Sequence, residues 1–115
     1  MKKLITLILT LSLLLAVALA EEDPQTDASL VFTAEEILEA GDAALDAGEY
    51  EKAAAYYELA AEKGDDYALI SIGYLYQNGF GVEQSFEKAR EYYQEALDKG
   101  VEEAAELLQN LPAGK

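Results

Sequence analysis

The chain has 115 residues, 23 of them aspartate or glutamate against 8 lysine or arginine, for a formal net charge of −15. A chain this acidic repels nucleic acid and anionic membrane surfaces. With no histidine and no cysteine, it lacks the commonest general base, the commonest transition-metal ligand and any disulfide staple.

Met1-Lys2-Lys3 is a short basic start, and Leu4 to Ala20 is almost wholly apolar, closing on Ala18-Leu19-Ala20. Small-x-small before an acidic run is the pattern of a secretory signal with its cleavage site. The expectation is a signal peptide over 1–20, cut after Ala20, and a secreted or periplasmic product with no membrane attachment after cleavage. The alternative is a retained anchor, since 17 apolar residues approach the lower limit for spanning. No cysteine stands at the cut, which closes the usual lipoprotein route. Loss of Lys2 and Lys3 leaves 6 basic residues against 23 acidic, a net charge near −17.

Residues 21–32 read as an acidic, disordered lead, polar and interrupted by Pro24. Order begins at Thr33. With Glu36 three residues on it forms a capping box, and Phe32 with Ile37 has the spacing of a hydrophobic staple. Gly48, Gly64, Gly79 and Gly100 each close a helix-length run, and Asp65 or Asp66 and Ser85 stand where caps belong. These signals give helices near 34–47, 50–63, 66–78, 86–99 and 102–110. Pro112 ends the last, and 112–115 reads as a disordered tail. No run alternates with period two, so no sheet is expected.

Two copies of one unit follow each other. Tyr50 to Ala68 lies on Phe86 to Ala104 at an offset of 36: Lys52 on Lys88, Ala53 on Ala89, Tyr56-Tyr57 on Tyr92-Tyr93, Ala60 on Ala96, Gly64 on Gly100. Gly41 falls on Gly73 at an offset of 32, so the second copy holds four extra residues in its internal turn. A period of this length means stacked helix pairs. The alanines lie seven apart on one helix face, where small side chains let helices approach closely. Gly41 and Gly73 sit mid-helix, at a cost of about 1 kcal/mol against alanine, which is sensible where another helix crosses. Tyr57 and Tyr93 are expected to fill the gaps between pairs, with Tyr50 and Tyr76 also in the core.

The second copy, I-G-Y-L-Y-Q-N-G-F-G-V-E-Q-S-F-E-K-A-R-E-Y-Y-Q-E-A-L-D-K-G, resembles a SEL-one-like repeat in its glycine–aromatic helix, its N-G-x-G-V turn, K-A-x-x-Y-Y-x-x-A and closing K-G. The first copy, with its shorter turn, resembles the related tetratricopeptide repeat. The resemblance covers roughly Thr33 to Asn110. It implies an all-α fold over 33–111, a short α-solenoid of two antiparallel helix pairs with a C-terminal capping helix, acting as a protein-interaction scaffold without catalysis. Gly79-Phe80-Gly81 is then the turn inside the second pair, with Phe80 or Val82 tucked back onto it. A phosphate loop would need a preceding strand and a lysine beside the glycines.

Little else in the sequence supports chemistry. The paired carboxylates Glu35-Glu36, Asp65-Asp66 and Glu102-Glu103 stand at helix starts, where the helix dipole favours them. Ser85-Phe86-Glu87-Lys88 has the S-x-x-K spacing of a β-lactam-binding or hydrolysing site, yet no S-D-N or K-T-G accompanies it. Glu87, Glu91 and Glu95 make a like-charge row, partly offset by Lys88 to Glu91 and Glu95 to Lys99; it is either a solvated face or a docking face for a basic partner. No catalytic, cofactor-binding or metal-ligating residue is assigned, and no cofactor is expected.

By the resemblance, the first helix of each pair lines a concave groove. That groove would present Glu35, Leu38, Asp42 and Leu45, then Tyr67, Ile70, Tyr74 and Asn78. Aromatic and polar residues together suit peptide recognition, although some of these side chains would instead pack on neighbouring helices. Leu38 and Asp42 stand where some tetratricopeptide domains place carboxylate-clamp residues, and neither groove helix carries a lysine. The expected partner is a basic or neutral protein or peptide segment; nucleic acid is excluded. The rival reading is an adaptor subunit of an envelope complex that uses its outer faces. Two repeats bury a modest core, so a marginally stable monomer or weak homodimer is expected.

Overall fold

In the computed structural model, which describes residues 31–113, the chain divides between Phe32 and Thr33. The expected signal peptide, most of the acidic lead and the end of the tail lie outside the described residues. Phe32, the expected staple partner of Ile37, belongs to the separate unit Met1–Phe32.

From Thr33 onward there are five helices and, among the described residues, no strand: α1 Ala34–Asp46, α2 Tyr50–Glu62, α3 Tyr67–Asn78, α4 Phe86–Asp98 and α5 Glu103–Asn110. Local chemistry sets their ends. Thr33 Oγ1 accepts from Glu36 N at 3.1 Å while Glu36 Oε2 accepts from Thr33 N at 2.8 Å, which satisfies donors that a helix start leaves without partners. The hydrogen bond from the Thr33 backbone holds the Glu36 carboxyl below its usual range. Asp65 Oδ1 accepts from Tyr67 N at 3.0 Å, so of the two candidate caps before α3 it is Asp65 that bonds.

Each helix packs on its neighbour in sequence, α1 on α2, α2 on α3, α3 on α4 and α4 on α5. Ala53, Ala60, Ala89 and Ala96 are all fully buried, as their seven-residue spacing requires. The largest fully buried side chains are Tyr57 and Tyr93, and their position adds to the sequence reading. An ideal Cβ at Gly41 would lie 2.6 Å from Tyr57 Cε1, and one at Gly73 would lie 2.5 Å from Tyr93 Cε1. Each tyrosine therefore fills the space inside its own pair, against the glycine of the facing helix, and also reaches the next unit, Tyr57 clustering with Ile72 and Leu75 and Tyr93 with Val101, Ala104 and Leu111. Tyr50 and Tyr76, expected in the core, are only half-buried.

Both buried rings end in a polar partner, as a buried phenol must. Tyr57 Oη donates to Asp42 Oδ1 at 2.6 Å and Tyr93 Oη donates to Gln77 Oε1 at 2.7 Å. Burial pushes the Tyr93 phenol up to about 12, with a smaller contribution from Tyr74. Burial first, and then the Asp42 carboxylate, push Tyr57 up as well. An unfolded tyrosine loses its proton near pH 10. Above that, the unfolded chain releases protons that the folded chain retains, so the native state binds more protons and stability falls as pH rises. For Tyr93 the loss runs from about 10 to about 12. Urea midpoints at about pH 9 and about pH 11 should show this decline, and Tyr93→Phe should make it shallower; an equal decline in the variant would assign the loss to other groups.

The long turn of the second pair reaches further than expected. Phe80 stacks on Tyr50 at the start of α2, with ring centroids 4.6 Å apart and planes 11° apart. Phe80 and Val82 pack against the cluster of Ala44, Ala53, Tyr57, Ile72 and Leu75. The four extra residues thus tie the second repeat to the first.

At the far end, Val101, Ala104 and Leu111 are buried in one cluster with Leu69, Ala89, Tyr93 and Ala96. Arg90 donates to the Pro112 carbonyl at 3.0 Å.

Candidate functional site

The first helices of successive units are α1, α3 and α5. The 36-residue offset that relates Ala68 to Ala104 also carries Tyr67 to Glu103, Ile70 to Glu106, Ser71 to Leu107 and Tyr74 to Asn110. Tyr67 and Tyr74 are the large apolar side chains most exposed from Thr33 onward, at 53% and 43%.

The eight residues assigned to the groove fall into two groups. Tyr67 and Ile70 line a cleft of about 450 Å³ together with Glu103, Glu106, Leu107 and Asn110 of α5. Tyr67 and Glu35 also line a concavity of about 570 Å³ at the rim where the helices start, beside Asp65, Lys63 and Lys99. The other five take part in neither concavity. Leu38 and Leu45 are half-buried against the core between the first three helices. Asp42 accepts from buried Tyr57. Tyr74 sets its ring edge-on to Phe80, with centroids 5.9 Å apart, and its carbonyl accepts from Asn78 Nδ2 at 2.9 Å.

Sequence reasoning missed the contribution of α5, which was read as a cap alone. The signal was present: the repeat register continues through Ala104, and the same offset places Glu103, Glu106 and Asn110 at groove positions. Lys63 and Lys99 were missed because they close the second helix of each pair and reach the rim only through packing.

The opposite side of α3 holds a different aromatic site. Tyr76 and Tyr92 stack with centroids 5.6 Å apart, and Lys88 Nζ lies 5.2 Å from the Tyr76 centroid. These three line a concavity of about 280 Å³ with Glu91 and Glu95. Burial, then nearby Tyr76, Glu58, Glu95 and Glu91, push the Tyr92 phenol up. The expected offset of Glu91 by Lys88 is thus replaced by a cation over a ring.

This geometry also accounts for the S-x-x-K match. Ser85 Oγ accepts from Lys88 N at 3.1 Å, as the N-cap of α4, while the Lys88 ammonium lies over Tyr76. The spacing reflects a cap followed by a helix. Among the described residues no group of three or more acidic side chains is arranged to hold a metal ion, and no helix is long and apolar enough to cross a membrane.

The Sel1 repeat model matches residues 32–65 and 66–101, more than half of the chain. The chain belongs to the Sel1 repeat family. The two matches coincide with α1–α2 and with α3–α4. The first copy, set apart in the sequence by its shorter turn, is matched by the same model as the second. The chain is also 38% identical over 73 residues to the ERAD-associated E3 ubiquitin-protein ligase component HRD3 of Candida glabrata. That match covers 64% of this chain and 8% of the relative's length.

Proposed function

We propose that this chain is a non-catalytic protein-interaction module, exported from the cytoplasm, that takes a partner segment on its concave face. The observation that carries this reading is the exposure of Tyr67 and Tyr74 on α3, a helix whose other face is buried in the core. Exposed aromatic side chains on a rigid helical scaffold are the residues that dominate peptide binding. The HRD3 relative is, by its name, a component of a larger assembly, which supports a partner-binding role. Secretion or a periplasmic location, with cleavage after Ala20 and a monomer or weak homodimer as product, completes the reading. The domain limits go with it: signal 1–20, lead 21–32, repeat domain 33–111, tail 112–115.

The partner segment is basic or neutral, because α1, α3 and α5 together carry no lysine or arginine and seven carboxylates. Capture from an envelope fraction by the immobilised chain, beside a Tyr67→Ala/Tyr74→Ala variant with unchanged circular dichroism, tests this. Loss of the captured protein in the variant is the expected result. Equal capture would move the site to the outer face of α4, where Glu87, Glu91 and Glu95 are exposed, and would favour the adaptor reading.

A further inference from the structure

The cleft between α3 and α5 combines four features. Its floor is apolar and half-buried, from Ile70 and Leu107; one wall is the exposed ring of Tyr67; the α5 side bears Glu103 and Glu106; and Asn110 closes the end. Both glutamates are exposed, and no helix that lines the concave face supplies a cation to them. Lys63 and Lys99 stand at the helix-start rim, where they line the neighbouring concavity with the other side of Tyr67. They are not among the residues of the α3/α5 cleft.

The molecule contains its own template for such a site. Behind α3, a tyrosine of that helix, Tyr76, shares a concavity with glutamates spaced one turn apart on the next helix, Glu91 and Glu95, and Lys88 of that same lining lies over the Tyr76 ring. In the concave cleft, Tyr67 of α3 faces Glu103 and Glu106, again about one turn apart, on α5. The chemistry is the same, but here the chain provides no cationic side chain of its own from the lining helices.

We infer that the α3/α5 cleft recognises one arginine of a partner peptide, flanked by an apolar residue. The inference rests on the concave-face reading above. Arginine fits better than lysine for physical reasons. Its planar guanidinium stacks on a tyrosine ring and bonds a carboxylate in a two-pronged fashion. Its methylene stem lies comfortably along an apolar floor, here Ile70 and Leu107. The flanking apolar residue completes the cover of that floor.

The test uses the full chain in mild detergent at low salt, with two labelled peptides read by fluorescence anisotropy. One is Leu-Arg-Leu, acetylated and amidated so that its ends are uncharged. The other carries citrulline in place of arginine, which keeps the shape and removes the charge. The parent should bind the arginine peptide about tenfold more tightly, the combined effect of a ring contact and two exposed carboxylates. Glu103→Gln/Glu106→Gln should bring the two peptides within about twofold of each other. Glu35→Gln, outside this cleft, should leave the ratio as in the parent. Equal binding of both peptides by the parent, an unchanged ratio in the double variant, or binding of neither peptide would overturn the inference. Should any of these occur while Tyr67→Ala/Tyr74→Ala still abolishes capture of the natural partner, the concave-face reading stands without it. Natural capture that survives the tyrosine changes removes the wider reading.

Discussion

Gly73→Ala is expected to destabilise the parent by about 1–3 kcal/mol and to stabilise a Tyr93→Ala chain by about 1 kcal/mol. The reversal of sign follows from one contact. A Cβ at Gly73 would stand 2.5 Å from Tyr93 Cε1 and 2.8 Å from Cδ1. The ring cannot yield, because it is fully buried and its hydroxyl is fixed on Gln77. In the parent, overpacking therefore outweighs the helix propensity that alanine brings. Tyr93→Ala by itself should cost about 3–5 kcal/mol, the range for truncating a buried aromatic ring. Once the ring is gone, the added methyl enters the space it left, and only the propensity gain remains. Urea unfolding of the four chains, followed by circular dichroism, gives the cycle directly. An osmolyte such as TMAO keeps the weakest variant folded enough to show a transition. If Gly73→Ala costs the same with and without the ring, the glycine is not there to admit Tyr93.

Gly81→Ala should be the most damaging of the turn-glycine changes, at about 2–4 kcal/mol. Two effects add at this position. Its φ is +73°, a left-handed conformation that costs a side chain about 1–2 kcal/mol. A Cβ there would also lie 2.7 Å from the carbonyl carbon of Tyr50 and 2.9 Å from Glu51 N. These are backbone atoms at the start of α2 and cannot move aside as a side-chain tip would. The turn would lift away from α2, and the stacking of Phe80 on Tyr50 would go with it, a loss of about 0.5–1.5 kcal/mol. Gly100→Ala is the control. Its φ is +98°, but nothing lies within 4 Å of the added Cβ, so it should show the backbone penalty alone. Equal losses at the two glycines in thermal or urea unfolding would mean that the turn does not bear on the first repeat.

The helix ends were legible because their causes are local. Thr33 and Glu36 reach only three residues, as do Ser85 and the amide of Lys88, and observed helix limits fall within one residue of those read from the sequence. The repeat register was legible for a related reason: Ala53, Ala60, Ala89 and Ala96 recur on one face, and all are buried. The candidate groove was legible only in part. Tyr67 and Ile70 do line a cleft, but Asp42, Tyr74 and Asn78 have contacts within the domain. Whether a side chain on the first helix of a pair opens to solvent or turns to a neighbour depends on contacts that the helix period does not state, from Phe80 six residues beyond Tyr74 to Tyr57 fifteen beyond Asp42.

The sequence by itself determined an all-helical chain, the limits of its helices, the family and the small-residue faces on which the helices meet, because each follows from spacing within a turn or from a repeat period. Tertiary structure alone decided that Tyr57 and Tyr93 press on the glycine of their own pair as well as on the next unit, that Phe80 reaches back to Tyr50, and that α5 supplies a wall of the cleft beside Tyr67 as well as closing the end. Such outcomes depend on which helices come close in space, and one chain of residue types does not state a distance. A glycine in the sequence permits close approach; only the packed fold shows which ring occupies the space it leaves.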